Sequence, residues 1–315
     1  MTGFNGYTQG VNLGGWLSQC NHTKERYDTF VTETDVHDLS TWAIDHLRLP
    51  IDYDLVEDKE GNYKEEGFGY IQKAVDWCGK YGLNLILDVH KTYGYSFDDG
   101  EHEEGFFDSK EYQERFYRLW EELTKRFGKY ERRVAFELLN EVTCKEYCDE
   151  WNRISNECIK RIRAIAPTIK ILVGGYYNNS VTAVKDLALP YDENIVYNFH
   201  FYEPLKLTHQ GAPWVPDMDV NFRLHFEDSE ASEDYVEGLF AEALATAKER
   251  NVPLYCGEYG IIDRADPEDA YKWYILIHKI FEKYSIGHAA WSYKEMDFGL
   301  TCGYLDRVRN ELFMR

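Results

Sequence analysis

The chain has 315 residues, 44% of them hydrophobic and 16% aromatic, with 35 Lys and Arg against 56 Asp and Glu, for a formal net charge of −21. That length and apolar content suit one large core, since α/β barrels run to about 250 residues or more as a single domain. A surface this acidic repels phosphate backbones and anionic bilayers, so nucleic acid and membranes are not expected partners, whereas neutral polymers such as polysaccharides meet no such barrier.

In chain order, the first apolar run is Gly10-Val11-Asn12-Leu13, and the second spans Asp45 to Leu49. A helix is predicted from Phe68 to Tyr81, where Ile71, Ala74, Val75 and Cys78 fall on one face. The run Asn84 to Val89 follows, then a helix from Glu111 to Phe127 carried by Phe116, Leu119, Trp120 and Leu123. The run Val134 to Leu139 precedes a helix from Trp151 to Ile165, with Ile154, Cys158, Ile162 and Ile165 in register. Two further runs are Lys170 to Val173 and Ile195 to Phe199. From Pro204 to about Ser232 the pattern lapses into an irregular insert containing Trp214, and long loops in compact domains tend to be functional. Helices at Ser232 to Arg250 and Pro267 to Tyr284 then alternate with the last runs, Pro253 to Cys256 and His288 to Trp291.

Near-continuous apolar runs suit strands buried on both faces of a parallel sheet. Their alternation with helices predicts an α/β fold, a (β/α)₈ TIM barrel forming a single domain over residues 1–315. A doubly wound open sheet is the competing arrangement, but no glycine-rich dinucleotide loop follows the first run.

Seven cysteines, odd in number and loosely spaced, read as reduced thiols in a chain too long to need staples. Cys144, Cys148 and Cys158 lack the His or second Cys pair of a usual metal pattern, and no metal is expected. No run is long enough for a membrane span. Met1 to Gly6 has neither a basic flank nor an apolar core, so no secretory signal is read there. Localisation stays open between cytoplasmic and secreted with the leader removed.

In such a barrel the reactive groups gather at the carboxyl ends of the strands. The residues predicted there are Arg48, His90, Asn140, Glu141, His200, Tyr202, Glu258 and Trp291. Each has a plain alternative. Arg48 could pair with a neighbouring carboxylate for structure, and the histidines could be hydrogen-bonded core groups. Glu141 could cap a following helix. The glycines around Glu258 could serve a turn, and Trp291 could be core. Eight such residues at one end of successive strands favour a site. Two carboxylates at two strand mouths, Glu141 and Glu258, are what glycoside hydrolysis needs.

These residues carry a resemblance over essentially the whole chain. The segments are Gly10 to Trp16, Leu47-Arg48-Leu49-Pro50, Leu87-Asp88-Val89-His90, Phe136 to Glu141, Asn198 to Tyr202, Tyr255 to Gly260 and Ala290 to Tyr293. Together they resemble glycoside hydrolase family 5, cellulase family A, and most closely its clostridial endo-β-glucanases without a signal peptide. The resemblance implies that Glu141 is the general acid/base and Glu258 the nucleophile, kept ionised by Arg48 and Tyr202. It implies that Asn140 binds the sugar 2-hydroxyl, that His90 and His200 line the −1 subsite, and that Trp291 is its stacking floor. Trp214 is a candidate platform on the aglycone side, near His209 and Gln210; Trp16 and Tyr93 are weaker candidates for stacking. Where relatives often carry a second His, this chain has Lys91, and the insert after Tyr202 is shorter than the subdomain of the nearest relatives.

The implied activity is that of a retaining endo-β-1,4-glucanase acting on cellulose-like and mixed-linkage glucans, with no cofactor. A β-mannanase or glucomannanase would use the same catalytic set, and the Asn-Leu-Gly-Gly-Trp opening is shared with exo-β-1,3-glucanases. A sugar-binding barrel without activity is the alternative from another class, disfavoured because both carboxylates are present. The expected partner is a β-glucan or glucomannan, and a monomer is expected.

Overall fold

The computed structural model describes residues 3–98 and 103–314, and in it eight parallel strands close into a barrel in chain order. They are β1 (Gln9–Asn12), β2 (His46–Asp52), β3 (Asn84–Lys91), β4 (Val134–Glu137), β5 (Lys170–Val173), β6 (Ile195–Phe201), β7 (Leu254–Tyr259) and β8 (Gly287–Ala290). Each falls on one of the eight apolar runs. The fold is the (β/α)₈ barrel expected from the alternation.

All five predicted helices form, at Glu65–Tyr81, Lys110–Phe127, Cys148–Arg163, Glu233–Arg250 and Pro267–Tyr284. Their ends carry recognisable signals: Ser109, Ser232 and Asp266 accept hydrogen bonds from first-turn N–H groups, and Gly82 and Asn251 close two helices in the left-handed conformation. The outer ring is not eight long helices, however. Two short ones, Lys24–Thr29 and Glu33–Leu39, bridge β1 and β2, and a 3₁₀ segment, Val181–Asp186, stands between β5 and β6. The segment 204–232 contains a short helix, Leu205–Thr208, and a 3₁₀ turn, Phe226–Asp228.

Inside the barrel the side chains form layers. At the amino end, Ile86, Ala135, Leu172, Val196, Tyr255 and Ala289 pack together with Phe4 and Tyr7. Those two rings stack 4.2 Å apart and close the floor of the barrel. Above this layer the interior turns polar, with Asn12, Arg48, Asp88, Glu137 and Asn198 all buried without exposure. Register explains the neighbours: Asp88 on β3 pairs with Pro50 on β2 and with Glu137 on β4. Buried polar groups persist only when paired, and this layer is the foundation of the site.

Candidate active site

Arg48 is the hub. Nε and Nη2 donate to the two oxygens of Glu137 at 2.7 and 2.8 Å. Nη2 also donates to Asn140 Oδ1 at 3.0 Å, and Nη1 donates to Asn12 Oδ1 at 2.9 Å and Glu258 Oε1 at 2.7 Å. A guanidinium has five N–H donors in a fixed fork, and these contacts use all five. Glu137 also accepts from Asn198 Nδ2 at 2.8 Å. Asn198 Oδ1 accepts from the Gly257 N–H, while Asn12 Nδ2 donates to the Gly257 carbonyl. A Cβ on Gly257 would meet Asn198 and His200 side-chain atoms at 2.8–3.0 Å, so this glycine permits a close approach inside β7.

Glu258 accepts from Arg48 on one oxygen and from the Tyr202 hydroxyl on the other, at 3.0 Å. Burial, with the nearby Glu258, pushes the Tyr202 phenol well above its ordinary value, so it remains a donor. Glu141 stands opposite. Its Oε1 lies 2.7 Å from His200 Nδ1, and its Oε2 accepts from Asn178 Nδ2 at 2.9 Å. Burial raises the Glu141 carboxyl above the usual range, with Asn178, His90 and Arg48 pulling weakly the other way. His200 is held down to about 4 by burial, so at neutral pH it carries no charge that would ionise Glu141.

The backbone that aims Glu141 is unusual. Glu141 has φ +30° at the mouth of β4, and its carbonyl accepts from the Tyr95 hydroxyl at 2.7 Å. Beyond β5, Tyr177, Asn178 and Asn179 have φ of 51°, 56° and 55°. Non-glycine residues in this region cost on the order of 1–3 kcal/mol each and cluster at functional sites. Here the excursion delivers Asn178 to Glu141.

His90 turns Nδ1 to Asp88 Oδ2 at 2.6 Å, and its ring lies parallel to that of Trp291, 5.8 Å away at 2°. Trp291 is mostly buried among Ala212, Ile262 and Phe298. Its indole lies so close to Gly14 that a Cβ there would sit 2.8 Å from the ring. Asn140 leaves Nδ2, a buried donor, without a hydrogen-bond partner among the described residues.

The structure thus brings Arg48, His90, Asn140, Glu141, His200, Tyr202, Glu258 and Trp291 together at the carboxyl end of the barrel. Trp214 stands apart from this cluster. It is half exposed, with the Arg264 guanidinium 5.8 Å from its ring centroid, on a segment whose Ala212 and Val215 belong to the apolar cluster around Trp291. Trp16 is not a stacking platform: it is fully buried, stacked on Trp77, with its indole N–H donated to Tyr27 O. Tyr93 packs under the Arg115 guanidinium and against Tyr53 and Tyr112. His209 Nδ1 lies 3.0 Å from Thr208 Oγ1, and the Gln210 amide donates to Leu207 O and Leu224 O.

Sequence reasoning assigned no role to Asn12, Asp88, Glu137, Asn178 or Asn198. The first three, with Asn198, were visible as single polar residues inside otherwise apolar runs. Asn178 could be found only from the Gly-Gly…Asn-Asn stretch after β5.

Two described trios bring ligand-type atoms within 4.8 Å of one another: Glu141–His200–Glu258 and His22–Asp52–Asp54. Each already faces a protein cation. Arg48 donates to Glu258, and Lys91 Nζ lies 3.9 Å from Asp54. The first trio sets the chemistry. A double displacement at a glycosidic bond calls for carboxyls about 5–5.5 Å apart, and an oxygen of Glu141 lies within 4.8 Å of one of Glu258.

The sequence profile for cellulase (glycosyl hydrolase family 5) matches residues 4–297. The chain belongs to glycosyl hydrolase family 5. Among similar sequences, Cellodextrinase A of Ruminococcus flavefaciens is 53% identical over 281 residues, covering 89% of this chain and 84% of that protein. Endoglucanase C of Acetivibrio thermocellus is 37% identical over 319 residues, covering 93% and 92%. Among solved structures, the cellulose synthase subunit Z of Clostridioides difficile superposes with a TM-score of 0.82 at 25% identity, over 93% of this chain and 94% of that one. A hyperthermophilic endo-β-1,4-glucanase shares the fold, with a TM-score of 0.81 at 24% identity over 94% and 91%. As a family 5 member, the protein is a glycoside hydrolase.

Proposed function

We propose that the whole chain is one catalytic domain, a retaining endo-β-1,4-glucanase that cleaves cellulose-like and mixed-linkage β-glucans by double displacement. The observation that carries this reading is the close pair Glu141 and Glu258, each in a different environment. Buried Glu141 is the general acid: its raised carboxyl keeps the proton that the leaving oxygen needs. Glu258 accepts from Arg48 and Tyr202, which aim its oxygens, and it attacks the anomeric carbon. The Glu258–sugar ester forms as the glycosidic bond breaks and the Glu141 proton passes to the leaving oxygen. Glu141, now ionised, takes a proton from water as that water displaces Glu258. Asn140, oriented by Arg48, offers Nδ2 to the sugar 2-hydroxyl. Trp291 and the histidines form the walls of the −1 subsite.

The glucanase reading draws support from Endoglucanase C, similar over nearly its full length. A second reading is favoured by the 53% identity to Cellodextrinase A: a preference for short, soluble cello-oligosaccharides. The test is reducing-end release from mixed-linkage glucan, carboxymethylcellulose, glucomannan, galactomannan, laminarin and cellohexaose, with Glu258→Gln as the blank. Release from the β-1,4-containing glucans that the variant lacks is expected. Fast cleavage of cellohexaose with little from the polymers selects the cellodextrinase. Preference for the mannans refutes the glucanase, and activity surviving in Glu258→Gln refutes the nucleophile.

A further inference from the structure

The buried layer beneath the site holds one carboxylate too many. Arg48 carries one positive charge, and its five N–H groups go to Glu137 (two), Asn140, Asn12 and Glu258. Asp88 Oδ2 lies 3.0 Å from Nη2, yet no N–H of the guanidinium is left for it. Its one hydrogen-bond contact is His90 Nδ1 at 2.6 Å, and Oδ1 has no partner among the described residues. Asp88 is fully buried. A buried anion with a single hydrogen bond is costly, and the balance tips further when two other carboxylates already share the only guanidinium. A neutral carboxyl group in the same place needs just one acceptor, and the His90 ring nitrogen supplies it.

We propose that Asp88 is held as the neutral acid and donates its proton in a hydrogen bond to His90 Nδ1, so that His90 presents Nε2–H as a donor to the sugar. Asp88 is then a positioning residue that acts through His90. This reading rests on the proposed glycosidase site for its purpose, but not for its protonation state. The surrounding charges agree. Glu137 on β4 faces Asp88 with negative charge, while Arg48 on β2 opposes it. His90 is itself kept neutral by burial, against the pull of Glu258 and Asp52. Burial is the largest influence on Asp88 and pushes its carboxyl up to about 7. Above that pH the carboxylate forms, the ring proton moves to Nδ1, and Nε2 changes from donor to acceptor.

The experiment is a pH titration of the substrate-free protein, labelled with ¹⁵N at histidine, reading the His90 tautomer from long-range ¹H–¹⁵N correlations. The His90 signal is identified by its loss in His90→Gln. The Nε2–H tautomer is expected at pH 5.5, crossing to Nδ1–H near pH 7, and Asp88→Asn, which cannot ionise, is expected to abolish the crossing. An Nδ1–H tautomer or an imidazolium at pH 5.5 overturns the proposal, as does a crossing that survives in Asp88→Asn. If the asparagine variant does not fold, the wild-type titration decides alone. Because no sugar is present, a failure here is distinct from a failure of the glucanase reading.

Discussion

His288 offers a quantitative test of how burial couples this fold to pH. It lies between β8 and the helix Pro267–Tyr284, stacked on Phe281 at 4.5 Å, with Nδ1 3.1 Å from Ile286 O. Its Nε2 has no partner among the described residues, and burial holds the ring down to about 4. A folded value below the unfolded one means that the unfolded chain binds the proton first. Stability is therefore lost as pH falls below the unfolded value, and the loss levels off below the folded one. With an unfolded histidine near 6.5 and His288 near 4, one such group weakens folding by about 2.5 kcal/mol at pH 4.5 relative to pH 7.5. His288→Phe keeps a ring on Phe281 and removes the titration. It also strands the Ile286 carbonyl, a cost of roughly 1 kcal/mol that does not depend on pH. Asp52 and Asp88, raised to about 6 and about 7, act in the opposite direction in both proteins, so only the difference between them is read. Urea unfolding at the two pH values should show the variant losing about 2.5 kcal/mol less than the wild type on acidification. Equal losses in the two proteins would refute the reasoning.

Asn140→Ala should lower kcat/KM on cello-oligosaccharides roughly 100-fold, about 2.7 kcal/mol. That loss should vanish on a 2-deoxy aryl cellobioside, and persistence there would remove the 2-hydroxyl contact. Glu141→Gln should slow the first turnover of cellohexaose by about 10³-fold, yet slow the burst from a dinitrophenyl cellobioside far less, because that leaving group needs no acid. Equal slowing would count against Glu141 as the acid. Trp214→Ala should raise KM for cellohexaose about fivefold, the loss of one stacking contact worth about 1 kcal/mol, while cleavage of a short aryl glycoside stays the same. An unchanged KM for cellohexaose would leave Trp214 as loop packing.

The strands were legible because each is apolar on both faces, and the five long helices because their apolar faces repeat with helical spacing. The short pieces between β1 and β2 and between β5 and β6 were not, since six or seven residues carry too little periodicity. At the site, the polar residues read as closing the apolar runs were legible; those read as lying inside the runs were not. Asp88 and Glu137 look like interruptions of a buried run, and only the closed barrel reveals that they surround a guanidinium. Trp16 shows the converse error. Beside Gly14-Gly15 at a strand mouth it has the sequence setting of a platform, but the chain turns it onto Trp77 and away from the cleft. Asn178 depends on a left-handed backbone excursion that no periodic pattern encodes.

The polar layer is also a statement about when in its own synthesis the protein acquires activity. Asn12 and Gly257, 245 positions apart, join across the barrel, and the Arg48 fork ties β2 to a carboxylate on β7. Contacts this distant in sequence form late, since the loop-closure entropy is met before they give anything back. A nascent chain that has threaded only its first six strands carries Glu141 but neither Glu258 nor Trp291. Arg48 then lies against Glu137 without its second carboxylate. Sugar cleavage is therefore a reporter of ring closure: in refolding, it should return after helical signal and with the burial of the last two strands.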